Sequence, residues 1–482
     1  SLGNAQALSL NATDAAAATT SLWNSTTPTD SVFTLGDNGN VNQSGQSFVA
    51  YLFASDAGGF GDDGSESIIK CGSYTGNGSS TGPSIDLGFE PQWLLIKGVG
   101  DSDWIMLDVM RGIPTGSNDA RLRANASGAE TSTIDFLSIT STGFDIATNN
   151  SNVNTNGTAY TYIAIRRPMK TPESGTEVFS PNSYSGNSTA DRTLVSSNSP
   201  VDLGIVKKFN GNGDWLWSDR LRGAGQTLYS NYTQAESVDN PPVYITGFDL
   251  EDGMEVGSHL AVNASGNNYI SYMFTRATGF FDVVAYTGDG TNKVISHNLG
   301  VAPELIITKP RSNPTSSTTD WIVYAAPLTN SNFLYLNTDS AAVGAALYPS
   351  EPTADNYTVL GSARIGDSGG TNISYLFATL AGVSKVGSYT GTGSNVDVDC
   401  GFSAGARFIL IKRSDSTGDW YVWDSERGIV AGNDPYVLIN SQSGEVTSTD
   451  YIDPLNAGFT VTSSAPAALN ASGGSYIFLA IA

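Results

Sequence analysis

Hydrophobic positions along this chain follow two patterns. Strict alternation marks "TIDFLSI", Thr133 to Ile139, as expected of a strand with one face on a core and one in water. Continuous runs mark "WLLIK", ending at Lys97, and "ELIITK", ending at Lys309. These read as strands buried on both faces or near the centre of a sandwich. No stretch carries a capped 3.6-residue stripe, so no helix is predicted. Turn-forming runs such as "TGNG", "NGNG", "TGDG" and "SGG" separate the apolar segments. Each block of about 100 residues therefore holds roughly seven or eight short strands.

The blocks repeat. A turn motif recurs as "YTGNG" at Tyr74, "YSGN" at Tyr184, "YTGDG" at Tyr286 and "YTGTG" at Tyr389, at spacings of 110, 102 and 103 residues. Apolar runs ending in Lys97, Lys207, Lys309 and Lys412 keep the same spacings. An Asp-Trp pair follows each run, at Trp104, Trp215, Trp321 and Trp420. Next come strands ending in Asn125, Asn231, Asn337 and Asn440, then Gly-Phe elements at Phe144, Phe248 and Phe459, then a closing aromatic-aliphatic strand. Unrelated features in a fixed order at one period define a repeat. We divide the chain into repeats at 68–167, 176–277, 280–380 and 383–482. Residues 1–54 carry only "LSLN", "VFTL" and "FVAYLFA", the second half of a unit. They are expected to be unfolded alone and to bury their apolar face against something preceding them or a neighbouring chain.

The predicted fold class is all-β: a tandem array of antiparallel β-sandwiches of jelly-roll type. Each sandwich is long enough to bury its own core, so the array is expected to be beads in a row. The linkers Ser55 to Ser67 and Arg166 to Glu177 are short and polar, and Pro168 and Pro172 stiffen the second.

Three repeats also share Asp-x-x-Arg-Gly after the Trp: Asp108 and Arg111, Asp219 and Arg222, Asp424 and Arg427. An Asp and an Arg three apart at a strand end can pair bidentately across a turn, with the Gly supplying a positive φ. A polar site for a sugar is the alternative. The third repeat has "DWIVYAAPLTN" instead, with Ala325, Ala326 and Pro327 near the expected positions. The pair is therefore dispensable for the fold, and a catalytic role is disfavoured. The recurrent Trp is expected to cover one end of the core, with a stacking platform for sugar rings as the alternative.

Composition narrows the function. Charged residues are 14% of the 482, and the formal net charge is −23, which disfavours nucleic acid and anionic lipid as partners. No apolar run approaches the roughly 18 residues of a membrane span. The cysteines, Cys71 and Cys400, occupy non-equivalent places and read as buried free thiols, which excludes a disulfide framework. The only histidines, His259 and His297, lie in different repeats without a nucleophile motif beside them, so no Ser-His-Asp triad or His/Cys metal site is expected. No phosphate-binding Gly loop opens a helix. The 46 carboxylates make any glycosidase-like pair uninformative. Asp56, Asp62, Asp63 and Glu66 in the first linker are candidates for Ca²⁺, against the plainer reading of solvated linker charge. "NGNGD" and "TGDG" read as hairpin turns. No cofactor is expected.

The pattern carried by "CGSYTGNG", "LGFEPQWLLIK", "GSYTGTG" and "FILIKRSDSTGDW" resembles tandem domains of unknown function in virion proteins of marine bacteriophages and cyanophages. The resemblance covers nearly the whole chain, and departs at "SPVDLGIVKKF" and at the missing Asp-x-x-Arg-Gly of the third repeat. It implies concanavalin A-like sandwiches and a non-enzymatic structural role in a fibre, tail or head appendage facing outward from the virion. Other virion proteins and a homo-oligomer, trimeric as in many phage fibres, follow as expected partners, and a host-surface glycan as a further one. The competing classes are a lectin-like adhesin and, behind it, a polysaccharide depolymerase.

Overall fold

The computed structural model describes all residues except 1, 62, 169, 197, 198, 313, 315–318, 362 and 363. The chain divides into two compact units, Ser1–Met169 and Lys170–Ala482. The regular structure of both is almost wholly antiparallel strand, with single helical turns at Gly39–Asn42 and Ala467–Asn470.

The last repeat shows the plan. Its strands are β1 (Ser384–Thr390), β2 (Val396–Asp399), β3 (Phe408–Arg413), β4 (Trp420–Asp424), β5 (Val437–Leu438), β6 (Ile452–Leu455), β7 (Gly458–Val461) and β8 (Ser475–Ile481). One sheet runs β1-β8-β3-β4-β5 and the other β2-β7-β6. First pairs with last and second with second-last, the nested pairing of a jelly roll, while β4 and β5 stay on the large sheet. The same order recurs in the other three repeats. Those at 176–277 and 280–380 add a short edge strand, Ser237–Val238 and Val343–Gly344, and the latter has only two strands in its small sheet.

Alternation on β3 shows where the cores sit. Ile409 and Ile411 face the small sheet, with Val398, Phe459 and Val461, and close the sandwich. Phe408 and Leu410 face the other way, yet they too are buried. They join Leu203, Ile205 and Tyr272 of one repeat and Leu305, Ile307 and Tyr375 of another in a second core shared by all three repeats of residues 170–482. This corrects the picture of independent beads. Each sandwich does have its own core, but its large sheet is also one wall of a common core. A continuous apolar run is what a strand between two cores requires.

The Tyr-x-Gly turn has a steric cause. A Cβ on Gly76, Gly186, Gly288 or Gly391 would lie 2.1–2.4 Å from a carbonyl oxygen of the loop before β8. The preceding Tyr hydroxyls donate into that same loop, Tyr74 to the Val153 carbonyl and Tyr389 to the Leu469 carbonyl.

Residues 2–54 are built differently. Their only strands are Gln6–Ala7 and Ala17–Ala18, which pair with each other. "FVAYLFA" matches β8 in sequence but forms no strand. In a full repeat β8 is hydrogen-bonded by β1 on one side and β3 on the other, and this half-unit has neither. Val49 and Tyr51 are accordingly 80% and 82% exposed.

Candidate functional site at the repeat junctions

The recurrent residues lie where one repeat meets the next. Within each repeat, the Asn side chain fastens the Asp-Trp pair. Its Oδ1 accepts the Trp amide at 2.8–3.0 Å, for Asn125, Asn231, Asn337 and Asn440 alike. Its Nδ2 donates to the adjacent Asp: 103, 214, 320 or 419. The Trp so placed then reaches across a junction. Trp321 Nε1 donates to the Tyr229 carbonyl, Trp420 Nε1 to that of Tyr335, and Trp215 Nε1 to that of Leu438, at 2.8–2.9 Å. Each acceptor stands two residues before the neighbour's Asn. The third bond runs from the first repeat of the unit back to the last, so the three repeats close a circuit.

Backbone and Lys contacts follow the same path. The amides of Gly213, Thr319 and Gly418, two before each Trp, donate to the carbonyls of Gln442, Thr233 and Asp339, two after the neighbour's Asn. Lys207 Nζ donates to the Gln442 carbonyl and Lys412 Nζ to that of Asp339, both at 2.9 Å. Lys309 instead donates to Thr319, whose hydroxyl donates to Thr233. In return Glu236, Ala342 and Glu445, five after each Asn, donate their amides to Arg311, Ser414 and Phe209. Burial pulls the Lys207 and Lys309 ammonium groups down to about 7 and that of Lys412 to about 8. The Trp rings lie inside the shared core, 0–1% exposed, rather than over one end of their own sandwich. Buried so, Trp215, Trp321 and Trp420 offer no platform to a sugar.

The Asp-x-x-Arg pairs sit at the same junctions. Arg222 gives its backbone amide to Asp219 Oδ1 at 2.9 Å and its Nε to Oδ2 at 2.5 Å. Gly223 then turns the chain at φ +86°. Two groups that sequence reading missed complete the cluster. Glu236 bridges Arg222 and Arg311 of the next repeat, and the Tyr375 hydroxyl of that repeat donates to Asp219 Oδ2 at 2.8 Å. Asp424 and Arg427 are arranged alike, with Glu445 at 3.2 Å and the Tyr272 hydroxyl at 2.7 Å. Burial works against the charge of Arg222, but Asp219, Tyr375 and Glu236 outweigh it and hold its pKa above the ordinary value. Burial first, and the neighbouring Asp after it, push Tyr272 and Tyr375 well above the usual phenol range, so both remain O–H donors. The Glu was readable: it stands five residues after the Asn in three repeats. The Tyr lies in an aromatic strand, and its one mark in the sequence is that Leu479 replaces it in the repeat after the one that lacks the pair.

The third junction shows what the cluster is worth. Ala325 replaces the Asp, Leu328 the Arg and Ala342 the Glu, while Leu479 stands on the facing β8 where the Tyr would be. Ala325 and Leu479 are buried, and Leu328 packs against the same shared core. The whole polar set is lost together and replaced by apolar packing. That is the alternative a buried ion pair allows at little cost, whereas losing one member strands the others.

Residues 1–169 hold one junction of this kind. Trp104 Nε1 donates to the Ser9 carbonyl at 2.9 Å, two before Asn11. The Ser102 amide and Lys97 Nζ reach the Thr13 carbonyl, and the Ala16 amide reaches Val99. The half-unit is thus joined to the following repeat by the same set of bonds. Asp108 and Arg111 pair at 2.5 Å, with Glu130 at 3.4 Å, but their side chains are 21% and 22% exposed against 0% for Asp219 and Arg222. Position Ile163 of this repeat corresponds to Tyr272, Tyr375 and Leu479 of the others.

The remaining candidates are spread apart. Asp56 pairs with Lys70 at 2.6 Å, Glu66 with Arg166 at 3.3 Å, and Asp63 accepts the amide and hydroxyl of Ser65, which lowers its pKa. Asp62 lies outside the described residues. Among the described residues no three or more His, Cys, Asp or Glu are grouped so as to hold a metal ion. Each His Nδ1 accepts an amide two residues on, His259 from Ala261 and His297 from Leu299. Cys400 is buried as expected, but Cys71 is exposed, because its sheet face is one that the repeats of residues 170–482 cover with each other.

The family model described as Domain of unknown function (DUF7483) matches residues 1–168 and, separately, residues 174–482. No curated protein matches the chain.

Proposed function

The chain belongs to that family, whose description names no activity, and we propose that it is a non-enzymatic structural protein of a phage virion: a fibre, tail or head appendage that contributes to host attachment. The observation that carries this reading is the use made of the polar residues. The Asp, Arg, Glu, Tyr, Lys and Trp that recur are spent on holding sandwiches to each other, through groups buried at the junctions. That is the economy of a load-resisting spacer, since each junction gives a rigid joint in place of a flexible linker. The resemblance to virion proteins and an acidic surface, net charge −23, support the same reading. Partners would be other virion proteins and further copies of the chain.

The test is location. Antibody raised against the chain and applied to purified particles of the phage that encodes it is expected to decorate an external appendage in electron micrographs. Antigen confined to the soluble lysate, with undecorated particles, would defeat the proposal. Attachment is read separately: the purified chain should compete with the phage for host cells.

A further inference from the structure

The junctions of residues 170–482 have a direction. Each repeat offers its Asn loop to the next, which answers with a Trp; at two junctions a Lys also crosses, and at two an Asp-x-x-Arg pair is offered and met by a β8 Tyr. Applied to residues 1–169, this direction leaves one side unanswered. The repeat at 68–167 answers the half-unit before it through Trp104 and Lys97. Its own offering side, with Arg123, Asp108, Arg111 and Glu130, meets no Trp or Tyr of another repeat among the described residues of this unit.

The sheet face that should line a shared core is open as well. Cys71 is registered against Ile163, as Pro181 is against Tyr272, Val283 against Tyr375 and Val386 against Leu479. Those counterparts are all buried, whereas Cys71 is exposed and Ile163 half-buried. Trp93, Trp104 and Met106 on the same face are also half-buried. Tyr51 of the half-unit matches Tyr375, the residue that bonds an Asp–Arg pair of a neighbouring repeat, and here it is 82% exposed.

Position by position, residues 1–169 correspond to the last one and a half repeats of the closed circuit. Ile163 stands where Leu479 does, and Asp108, Arg111 and Glu130 where Asp424, Arg427 and Glu445 do. The family model matches the three-repeat circuit as one stretch and residues 1–168 as another. We propose that the open face of the repeat at 68–167 is a docking site for another sandwich of this family. The occupant would resemble residues 176–277, bringing a Trp like Trp215 to the Asn125 loop and a Tyr like Tyr272 to Asp108 and Arg111. With it in place, a second three-repeat circuit would close around Cys71.

Cys71 reports the result, because Cys400 is buried. In the full chain a fluorescent maleimide should label Cys71 within minutes. A second chain, in which a further copy of residues 170–326 is joined ahead of Ser1, offers one and a half repeats of the kind the open face would take. There Cys71 labelling should slow at least tenfold and the added residues should resist protease. Ile163→Glu in the extended chain should restore fast labelling while residues 170–482 melt as before. Unchanged labelling, or added residues that stay protease-sensitive, would overturn the proposal. So would a full chain that already shields Cys71 as a dimer dissociated by Ile163→Glu, since a second copy would then be the occupant. None of these outcomes bears on virion location.

Discussion

Residues 1–169 and 170–482 contain the same sandwich, yet Trp104 is half-buried where Trp215, Trp321 and Trp420 are sealed. The sequence around each Trp is equivalent, and so are its amide bond to Asn and its Nε1 bond to a neighbour. What differs is the number of repeats gathered around it. The module carries its interaction residues wherever it occurs, and their burial is set by closure of the circuit.

The largest effect should therefore come from Trp420→Ala. Removing a buried Trp costs roughly 3 to 5 kcal/mol, and here it also opens one link of a closed circuit. Trp104→Ala should cost about half as much, because less of its surface leaves water. Denaturant titration of the two full-length variants reads the difference. Equal losses would mean that closure adds nothing to the worth of the Trp.

Next comes the ion-pair cluster. Asp219→Ala strands Arg222 and Tyr375 in the core and should cost about 3 kcal/mol, the low end for a broken buried pair because Glu236 remains beside the Arg. Asp108→Ala, at a partly exposed pair, should cost about 1 kcal/mol or less. The chain supplies its own control in Ala325, Leu328 and Leu479. The triple variant Asp219→Ala, Arg222→Leu, Tyr375→Leu copies three of that junction's four replacements, leaving Glu236 its pair with Arg311, and should recover most of the loss from Asp219→Ala alone. A triple variant less stable than the single one would show that the polar cluster is worth more than apolar packing at the same place.

The sequence made half of this visible. Strand content, the repeat and the Asp-Trp, Asn and Asp-x-x-Arg recurrences were all legible, because side chains doing one job keep one spacing. Their partners were not. Trp Nε1 and Lys Nζ donate to backbone carbonyls, which every residue has, so Tyr229, Tyr335, Leu438 and Ser9 share no letter that marks the acceptor. Two signals did point to a second core. One was the continuous apolar run of β3, more than a two-layer sandwich with a wet outer face would need. The other was the joint loss of the Asp–Arg pair in one repeat and of the facing Tyr in the next, which only contact between repeats explains. Cys71 was read as buried because a free Cys is among the most often buried residues; exposure there depends on a neighbour that no local pattern encodes.

The smallest expected effect tests the other side of the comparison, that the sandwiches themselves are alike. Asp119 accepts the amides of Phe136 and Leu137 at 2.7 and 3.0 Å, and Asp434 accepts those of Tyr451 and Ile452 at 2.9 and 3.3 Å, one pair in each unit. Both side chains are fully buried. Burial lifts Asp119 to about 8 and Asp434 to about 7, although the amides oppose the rise. A carboxyl raised in the folded state holds a proton that the unfolded chain has released. Folding is then favoured at low pH, and stability falls as pH climbs from about 4 through the folded values. Urea midpoints at pH 5 and pH 8 should show the fall, and Asp119→Asn and Asp434→Asn should each flatten it and raise the midpoint at pH 8. The effect should be similar in the two units, since neither Asp touches a junction. A slope that only Asp434→Asn removes would mean that the repeat at 68–167 is itself looser than its counterpart, and the contrast between the units would no longer rest on closure alone.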